Sequence, residues 1–163
     1  MTNPMKRLLA VLLSYASVEA KSIVTDDFLD KVAMVESNFN FLAKGDNGKA
    51  LGAWQMHQPA WEDSCNYMKF FRPNDEELID TMKTNYKKWA LDPVVSRSVA
   101  RQYFLLLEDK MRKQKVKVTP ISLYMAYNMG YSGASKWEFN PNSFWIDSKR
   151  KSILARANHI LSR

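Results

Sequence analysis

The sequence predicts a single domain that is mainly α-helical, with one minimal β element. The chain has 163 residues, which is enough to bury one hydrophobic core and lies within the usual size of one domain. Hydrophobic residues make up 46% of it and charged residues 25%, as in ordinary globular proteins. Apolar residues recur at helical spacing through most of the chain, and one glycine-rich stretch interrupts them.

The first twenty residues differ from the rest in composition. Lys6 and Arg7 precede the short apolar run LLAVLL, and the segment closes with VEA at Ala20. This order is typical of a secretory signal peptide over residues 1–20, because the apolar run is too short to span a bilayer. The alternative is a buried N-terminal helix. The preferred interpretation predicts an exported protein, periplasmic or extracellular, with its folded domain over residues 21–163.

The first predicted helix begins after Thr25. Asp26 and Asp27 would occupy its first turn, where negative charge suits the helix dipole. One apolar stripe runs along it at positions i, i+4, i+7 and i+11: Phe28, Val32, Val35 and Phe39. At about 100° per residue, Glu36 lies roughly 40° beyond Val32, at the edge of this stripe. The pattern therefore predicts a carboxyl group that is half sheltered from water.

A glycine-rich stretch follows this helix. Residues 43–53, AKGDNGKALGA, contain three glycines and an Asp-Asn-Gly turn signal. We expect a loop or a short hairpin there and no strand elsewhere. Pro59 then suits the start of a second helix, along which Trp61, Cys65 and Met68 recur at i, i+4 and i+7.

Two longer helices come next. The first would span residues 74–90 with Asn74 as its N-cap, and the second would begin with Asp92 as N-cap and Pro93 at its first position. The inward face of the first would hold Ile79, Met82, Tyr86 and Trp89. The inward face of the second would hold Val95, Val99, Tyr103 and Leu106.

Two further helices complete the prediction. Thr119 and Pro120 repeat the cap-and-proline entry, and Gly130 is a natural helix terminator. The last helix, from Ser148 to Leu161, is amphipathic and basic. Its basic face is either solvated or in contact with an anionic cell wall or membrane surface.

The net charge and the residue counts limit the classes of partner and ligand that the protein could bind. The formal charge of +7 favours polyanions, which for an exported protein means cell-wall polymers or lipid head groups before nucleic acid. Cys65 is the only cysteine, so an intramolecular disulfide is excluded, and we expect a monomer. His57 and His159 are too few for a histidine metal site and do not stand at a zinc spacing from Cys65. Neither a metal nor an organic cofactor is expected.

Glu36 is the strongest candidate for chemistry. A glutamate on a helix is usually a solvated charge. At an apolar edge, however, desolvation disfavours its charged form and raises its pKa toward the value that a general acid needs near neutral pH. Asp46, ten residues further on, supplies a second carboxylate, and two carboxylates that flank a sugar are the working pair of most glycoside hydrolases.

Three short motifs resemble those of a known family. Glu36-Ser37 closes the first helix, Gly52-Ala53-Trp54-Gln55-Met56 follows, and Ala126-Tyr127-Asn128 ends a later helix. In this order and spacing they resemble the soluble lytic transglycosylase-like domain of the lysozyme superfamily, over roughly residues 25–135. The resemblance implies a lysozyme-like fold, α+β with a minimal β element.

The same resemblance implies a reaction. The expected substrate is peptidoglycan, cleaved at the β-1,4 bond between N-acetylmuramic acid and N-acetylglucosamine, with Glu36 protonating the glycosidic oxygen. Ser37, Gln55, Tyr127 and Asn128 would shape the sugar-binding cleft. In a transglycosylase, Glu36 would then take the proton of the muramic 6-hydroxyl, so that one carboxyl suffices and a 1,6-anhydro product forms.

Asp46 distinguishes the alternatives. C-type lysozymes carry an aspartate two residues before the glycine of the Gly-x-x-Gln segment, and here that position is Ala50. Asp46 resembles instead the loop aspartate of invertebrate-type lysozymes. The sequence thus favours a lytic transglycosylase; the alternatives are a muramidase that uses Glu36 and Asp46, and a non-catalytic protein that binds cell-wall glycan. The predicted signal peptide and the glycan motifs disfavour a nucleic-acid-binding protein.

Overall fold

The computed structural model describes residues 22–163, so the predicted signal peptide lies outside the described residues. The described part is a mainly helical domain with one small antiparallel sheet, as predicted. Its eight α-helices are α1 (Asp26–Ser37), α2 (Gln58–Phe71), α3 (Glu76–Thr84), α4 (Tyr86–Trp89), α5 (Pro93–Lys113), α6 (Pro120–Met129), α7 (Tyr131–Lys136) and α8 (Ser148–Leu161). The strands are β1 (Lys44–Gly45), β2 (Ala50–Leu51) and β3 (Met56–His57).

Helix α1 begins where its cap predicts and ends earlier than its apolar stripe. The Thr25 side chain accepts a hydrogen bond from the backbone N–H of Phe28, which satisfies a free donor of the first turn. At the other end, Asn38 and Phe39 take left-handed conformations with φ of 54° and 67°, which stop the helix at Ser37. The prediction that Phe39 continues the helical stripe is therefore wrong. Its ring is partly buried and packs edge-on against Phe41, with ring centroids 5.5 Å apart.

The sheet has the strand order β1-β2-β3, all antiparallel. Strands β1 and β2 form the predicted hairpin, whereas β3 lies beyond the glycine-rich stretch, where no strand was expected. The Tyr86 hydroxyl donates to the carbonyl of Met56 at 2.6 Å and lies 2.9 Å from that of Lys49, which ties the sheet to α4. One buried side chain thus contacts backbone carbonyls next to β2 and in β3.

The middle of the chain departs from the prediction at two points. Asn74 lies within a short 3-10 turn, Pro73–Asp75, and the cap position of α3 is Asp75. The predicted helix over residues 74–90 is interrupted at Asn85, which separates α3 from α4. The side chains predicted to face inward do so on both sides of the break. Ile79, Met82 and Tyr86 are buried, and Trp89 is partly buried.

Helices α5 and α6 begin at the predicted caps, and α8 spans Ser148–Leu161 as predicted. The Asp92 carboxylate accepts from the N–H groups of Val94 and Val95, and Thr119 forms a reciprocal capping box with Ser122. The inward face of α5 is rotated from the predicted one. Val99 is buried as predicted, but Val95, Tyr103 and Leu106 are only partly buried. The most buried apolar side chains of α5 are Val99, Ala100, Phe104, Leu107 and Met111.

The core lies between α2 and α5 on one side and among α1, α6 and α8 on the other. Two buried tryptophans connect elements through their indole N–H groups: Trp54 donates to the Leu29 carbonyl at 2.9 Å and Trp61 to that of Met82 at 3.0 Å. The Cys65 thiol is buried within this core, which raises its pKa to about 11. Over residues 22–163, every helix is too short or too polar to cross a membrane.

Candidate active site

The candidate active site is a cleft of about 800 Å³ between the small sheet, α2, α6 and α8. Glu36 reaches it from the last turn of α1, just before the left-handed turn at Asn38. Of the other predicted site residues, four also line the cleft: Asp46, Gln55, Tyr127 and Asn128. The fold therefore brings together five of the six residues singled out from the sequence, from three separate parts of the chain.

The carboxyl group of Glu36 is held by a buried tyrosine. The Tyr124 hydroxyl donates to Glu36 Oε1 at 2.6 Å, and Asn128 Nδ2 lies 3.4 Å from the same hydroxyl. Burial raises the pKa of Glu36, because the charged form loses hydration. The hydrogen bond from Tyr124 and the charge of Arg156 oppose this effect in part, and the pKa of Glu36 stays above its ordinary value. Such a group holds its proton at higher pH than an exposed glutamate.

Arg156 supports the same carboxyl group from α8. Its Nη2 donates to the backbone carbonyl of Val35 at 2.7 Å. Carbonyls in the last turn of a helix lack a partner within the helix, so this bond satisfies the end of α1 next to Glu36. The nearby guanidinium also lowers the pKa of both Glu36 and Tyr124. Arg156 thus fixes the position of the acid and stabilises its charged form.

Tyr127 and Asn128 form the floor of the cleft at the end of α6. The Tyr127 hydroxyl donates to the carbonyl of Trp54, and its ring stacks on Phe104 with centroids 4.6 Å apart. Burial raises the pKa of Tyr127 far above its ordinary value, so the phenol stays protonated. Among the described residues, the buried Oδ1 of Asn128 has no hydrogen-bond partner. This oxygen is an acceptor that a ligand N–H or hydroxyl can satisfy.

Gln55 is held in place by its own loop. It takes a left-handed φ of 49°, and its Nε2 donates to the Gly52 carbonyl at 2.8 Å. The other end of the amide lies against Gly45, where a Cβ atom would come within 2.2 Å of Gln55 Oε1. A side chain at position 45 would force the Gln55 amide to move from this position. The glycine-rich stretch therefore shapes the wall of the cleft next to β1 and β3.

Ser37 lies outside the lining of the cleft. Its hydroxyl donates to the Ala53 carbonyl at 2.8 Å and accepts from the backbone N–H of Asn40 at 3.0 Å. These bonds join the end of α1 to the Gly-x-x-Gln segment, so that Glu36 and Gln55 face the same space. The predicted contact of Ser37 with substrate stays a prediction.

Asp46 lies at the open side of the cleft, in the turn between β1 and β2. Its side chain is 69% exposed, and its Oδ2 is 3.3 Å from His57 Nε2. The backbone of Asp46 is left-handed, with a φ of 52°. Ala50, which stands where C-type lysozymes have their aspartate, also lines the cleft. A second carboxylate, Asp63 on α2, lines it too and was not singled out from the sequence.

The opposite wall was also missed by sequence reasoning. Asp147, Lys149, Arg150 and Ile153, at the start of α8, all line the cleft. The sequence offered no local signal for this, because a basic helix face is ordinarily solvated. For Tyr124 there was a signal: it stands three residues before Tyr127, so the two share one face of α6. Arg156, 121 residues from Val35, had no such signal.

The described residues hold no group of three or more His, Cys, Asp and Glu side chains that could bind a metal ion. What the cleft presents is one sheltered carboxyl group, an array of hydrogen-bonding groups, two cations and three exposed carboxylates, which are Asp46, Asp63 and Asp147. A proton donor of raised pKa in an open cleft suits acid-catalysed cleavage of a bond in a long polymer.

The fold and the site define a class of protein. A helical domain with a minimal sheet beside a cleft that holds one sheltered glutamate is lysozyme-like and glycosidase-like. The family model of the transglycosylase SLT domain matches residues 14–148, and the chain belongs to this family. The family consists of lytic transglycosylases, whose substrate is peptidoglycan. Comparison with curated proteins and with solved structures gives no match.

Proposed function

We propose that the protein is a lytic transglycosylase that cleaves the β-1,4 bond between N-acetylmuramic acid and N-acetylglucosamine, with Glu36 as its single catalytic carboxyl. The observation that carries this proposal is the environment of Glu36: burial raises its pKa, and Tyr124 holds Oε1 at 2.6 Å within the cleft. The family match supports the substrate class.

In the proposed reaction, Glu36 acts twice. As an acid, it gives its proton to the glycosidic oxygen while the bond to the anomeric carbon breaks. As a carboxylate, it then takes the proton of the muramic 6-hydroxyl, whose oxygen bonds to the anomeric carbon. The products are a free 4-hydroxyl and a 1,6-anhydro ring, no water is consumed, and Glu36 regains its proton. Burial favours the acid form, whereas Tyr124 and Arg156 stabilise the carboxylate that exists between the steps.

The remaining residues are proposed to bind the sugar. Asn128 Oδ1, which lacks a partner among the described residues, would accept from an acetamido N–H or a hydroxyl of the glycan. Gln55 would hydrogen-bond from the glycine-rich wall, and Tyr127 would present the edge of its ring. These contacts would keep the scissile oxygen within reach of Glu36.

Mass analysis of muropeptides released from purified peptidoglycan tests the proposal. Products with 1,6-anhydro ends are lighter by one water than products with reducing ends. We expect anhydro ends from the wild-type protein. Reducing ends alone would contradict the transglycosylase assignment.

The muramidase alternative rests on the presence of Asp46 in the same cleft as Glu36. In that reaction water is the acceptor and Asp46 acts as the second carboxylate. Its exposure and its contact with His57 favour a solvated role instead. Asp46→Asn separates the two: a transglycosylase keeps most of its activity, within about tenfold, whereas a two-carboxylate hydrolase loses at least about 10²-fold.

Tyr124→Phe is expected to move the pH profile of cleavage. The Tyr124 hydroxyl stabilises the carboxylate form and so lowers the pKa of Glu36. Without it the pKa rises, and the descending limb of kcat/KM, which follows loss of the proton from Glu36, moves to higher pH. The matched control is Tyr131→Phe, whose hydroxyl donates to Gln114 outside the cleft and whose loss leaves the limb in place. A shift of the Tyr124→Phe limb to lower pH would contradict the assigned role.

We also propose that the protein works outside the cytoplasm, where peptidoglycan is found. The support is the predicted signal peptide over residues 1–20. Detection of the protein in the periplasmic or extracellular fraction, shortened by about twenty residues, tests this part of the proposal.

A further inference from the structure

Two aromatic side chains project into solvent from the loop that precedes α8. In this loop, residues 140–147, the side chain of Phe144 is 82% exposed and that of Trp145 is 72% exposed. Their rings contact each other edge-on, with centroids 5.4 Å apart. The next residue, Ile146, is buried and belongs to the core. The loop thus buries an aliphatic side chain and leaves two larger aromatic ones in water, where they gain nothing from hydrophobic burial.

Hydrogen bonds within the loop and to α8 fix the position of these rings. The Asn140 side-chain oxygen accepts from the backbone N–H of Asn142 at 3.0 Å, and the Asn140 carbonyl accepts from the N–H of Ser143 at 3.1 Å. At the other end, the Asp147 carboxylate accepts from the backbone N–H of Arg150 at 2.9 Å. Because both ends of the loop are held by these bonds, the exposed rings form a defined surface.

A second cavity lies beside Phe144 and shares no lining residue with the cleft. Its volume is about 390 Å³, which is within the usual range of small-molecule sites, about 300–1,000 Å³. Lys151 connects the cavity to the aromatic pair, because its Nζ donates to the Phe144 carbonyl at 3.4 Å and lies 5.8 Å from the centroid of that ring. We call the cavity and the two aromatic side chains the α8 patch. The cavity is lined by Pro141, Asn142, Lys151, Leu154, Ala155 and Asn158.

The groups of the α8 patch suit an uncharged amino sugar. The side-chain amides of Asn142 and Asn158 form no hydrogen bond with residues 22–163, so they can pair with the hydroxyl and acetamido groups of a sugar. An aromatic ring offers a flat apolar face to the C–H groups of a pyranose. Lys151 is the single charged residue among the six that line the cavity, whereas an anionic lipid surface is bound by a cluster of several cations.

We propose that the α8 patch is a second glycan-binding site, which takes an N-acetylated amino sugar of the polymer that is cleaved in the cleft. The inference rests on the proposed function, because that function supplies the polymer. A repeating polymer offers the same sugar to both sites, and Asp147, in the same loop as the aromatic pair, lines the cleft. Two linked sites raise the apparent affinity for a polymer without any change in either site. The α8 patch thereby keeps the protein on the cell wall between cleavage events.

Cosedimentation with purified insoluble peptidoglycan tests the site. On the cleavage-deficient Glu36→Gln background, Phe144→Ser/Trp145→Ser should lower the affinity about tenfold, because the linked second contact is lost. With Glu36 intact, the same pair of substitutions should raise the KM for insoluble peptidoglycan. The kcat for soluble tetrasaccharide fragments should stay within about twofold of wild type, because the cleft is unchanged.

Phe70→Ser/Phe71→Ser on the same background is the matched control. This second aromatic pair is also exposed, with ring centroids 5.1 Å apart, but it lies at the end of α2, outside the lining of the cleft and of the second cavity. We expect a loss of less than about twofold in the affinity for peptidoglycan. The melting temperature should be nearly unchanged in both double variants, since substitutions of exposed side chains have little effect on stability.

A second measurement leaves the aromatic pair in place. The nuclear magnetic resonance signal of the Trp145 indole N–H, assigned by its loss in Trp145→Ser, should shift when an N-acetylglucosamine tetramer is added to the Glu36→Gln protein. A signal that stays in place would overturn the site. So would an unchanged affinity for peptidoglycan in Phe144→Ser/Trp145→Ser, or an equal loss in the control pair.

Two further results are distinct from these. If Phe144→Ser/Trp145→Ser lost binding to phosphatidylglycerol vesicles and kept its affinity for peptidoglycan, the patch would be a lipid contact and the proposal would be overturned. Failure of the proposed function has its own readout, which is the absence of anhydro products from the wild-type protein. The difference in peptidoglycan affinity between the variant and its parent would still be measured in that case.

Discussion

Glu36→Gln is expected to lower the rate of muropeptide release by at least about 10³-fold, because the same group supplies the acid and the base of the proposed reaction. Glutamine has nearly the same shape, and its oxygen can accept the hydrogen bond that Tyr124 donates to Glu36 Oε1. The cleft should therefore be preserved and glycan binding retained. Release of soluble muropeptides from purified peptidoglycan measures the rate, and isothermal calorimetry on glycan strands measures the binding.

Glu36→Gln should also change the thermal stability of the protein, and the size of this change should depend on pH. Burial raises the pKa of Glu36 above the ordinary value of a glutamate. The folded state thus binds the proton more tightly than the unfolded chain, and this contribution to stability is complete below the ordinary pKa of a glutamate and is lost as the pH rises through the folded pKa. Glutamine stays neutral throughout. Glu36→Gln should therefore unfold at a higher temperature than wild type at neutral pH, and the gain should disappear under acidic conditions.

Glu77→Gln is the matched control for both measurements. Glu77 is exposed in the first turn of α3 and does not line the cleft. We expect its replacement to leave the rate within about twofold of wild type, because removal of a surface carboxylate has little effect at a distance. Equal activity of Glu36→Gln and wild type would show that Glu36 is not the acid.

Gly52→Ala is expected to have the largest effect on stability. Gly52 has a φ of 74°, and a Cβ atom there would lie 2.0 Å from the backbone carbonyl oxygen of Ala90. The left-handed backbone costs a non-glycine residue about 1–2 kcal/mol, and relief of the collision adds about 1–3 kcal/mol. The free energy of unfolding should fall by about 2–5 kcal/mol in urea denaturation. Activity should fall too, because the Gly52 carbonyl accepts from Gln55 Nε2.

Comparison of Gly52→Ala with Gly48→Ala isolates the steric part of the loss in stability. Gly48 has a similar φ of 81°, but a Cβ atom there would meet nothing within 4 Å. Its replacement should cost only the left-handed term, about 1–2 kcal/mol. The difference between the two variants measures the close approach of the Gly-x-x-Gln segment to α4. Equal losses would mean that the contact with Ala90 does not limit the fold.

The fold was predictable where a local signal defines an element. Asp92 and Thr119 carry their cap bonds where the sequence placed them, because a side chain and a backbone N–H two or three residues away decide the start of a helix. Phe39 and Asn85 were misassigned for the opposite reason. At both positions apolar spacing continues while the backbone turns, and periodicity records burial rather than backbone conformation.

Most individual residues of the site were predictable from the sequence, but their surroundings were not. Five of the six residues singled out line one cleft, and helical geometry alone indicated that Glu36 is half sheltered. The sequence did not indicate that Ser37 would bond to Ala53 at the end of α1. Nor did it indicate the wall formed by α8, since a basic amphipathic helix reads the same whether it faces solvent or a ligand.

The sequence by itself determined several local features of this protein: the starts of α1, α5, α6 and α8, the apolar faces of α1 and α2, the glycine-rich turn and a glutamate at an apolar edge. These depend on interactions within a few residues, which propensity and spacing describe. Only the tertiary structure decided what surrounds that glutamate. Tyr124 contacts Glu36 although the two lie 88 positions apart in the chain. Lys149 and Arg150 line the same cleft from α8, more than 110 positions after Glu36 in the sequence. Such contacts depend on how the helices pack, and the chemistry of the carboxyl group depends on those contacts.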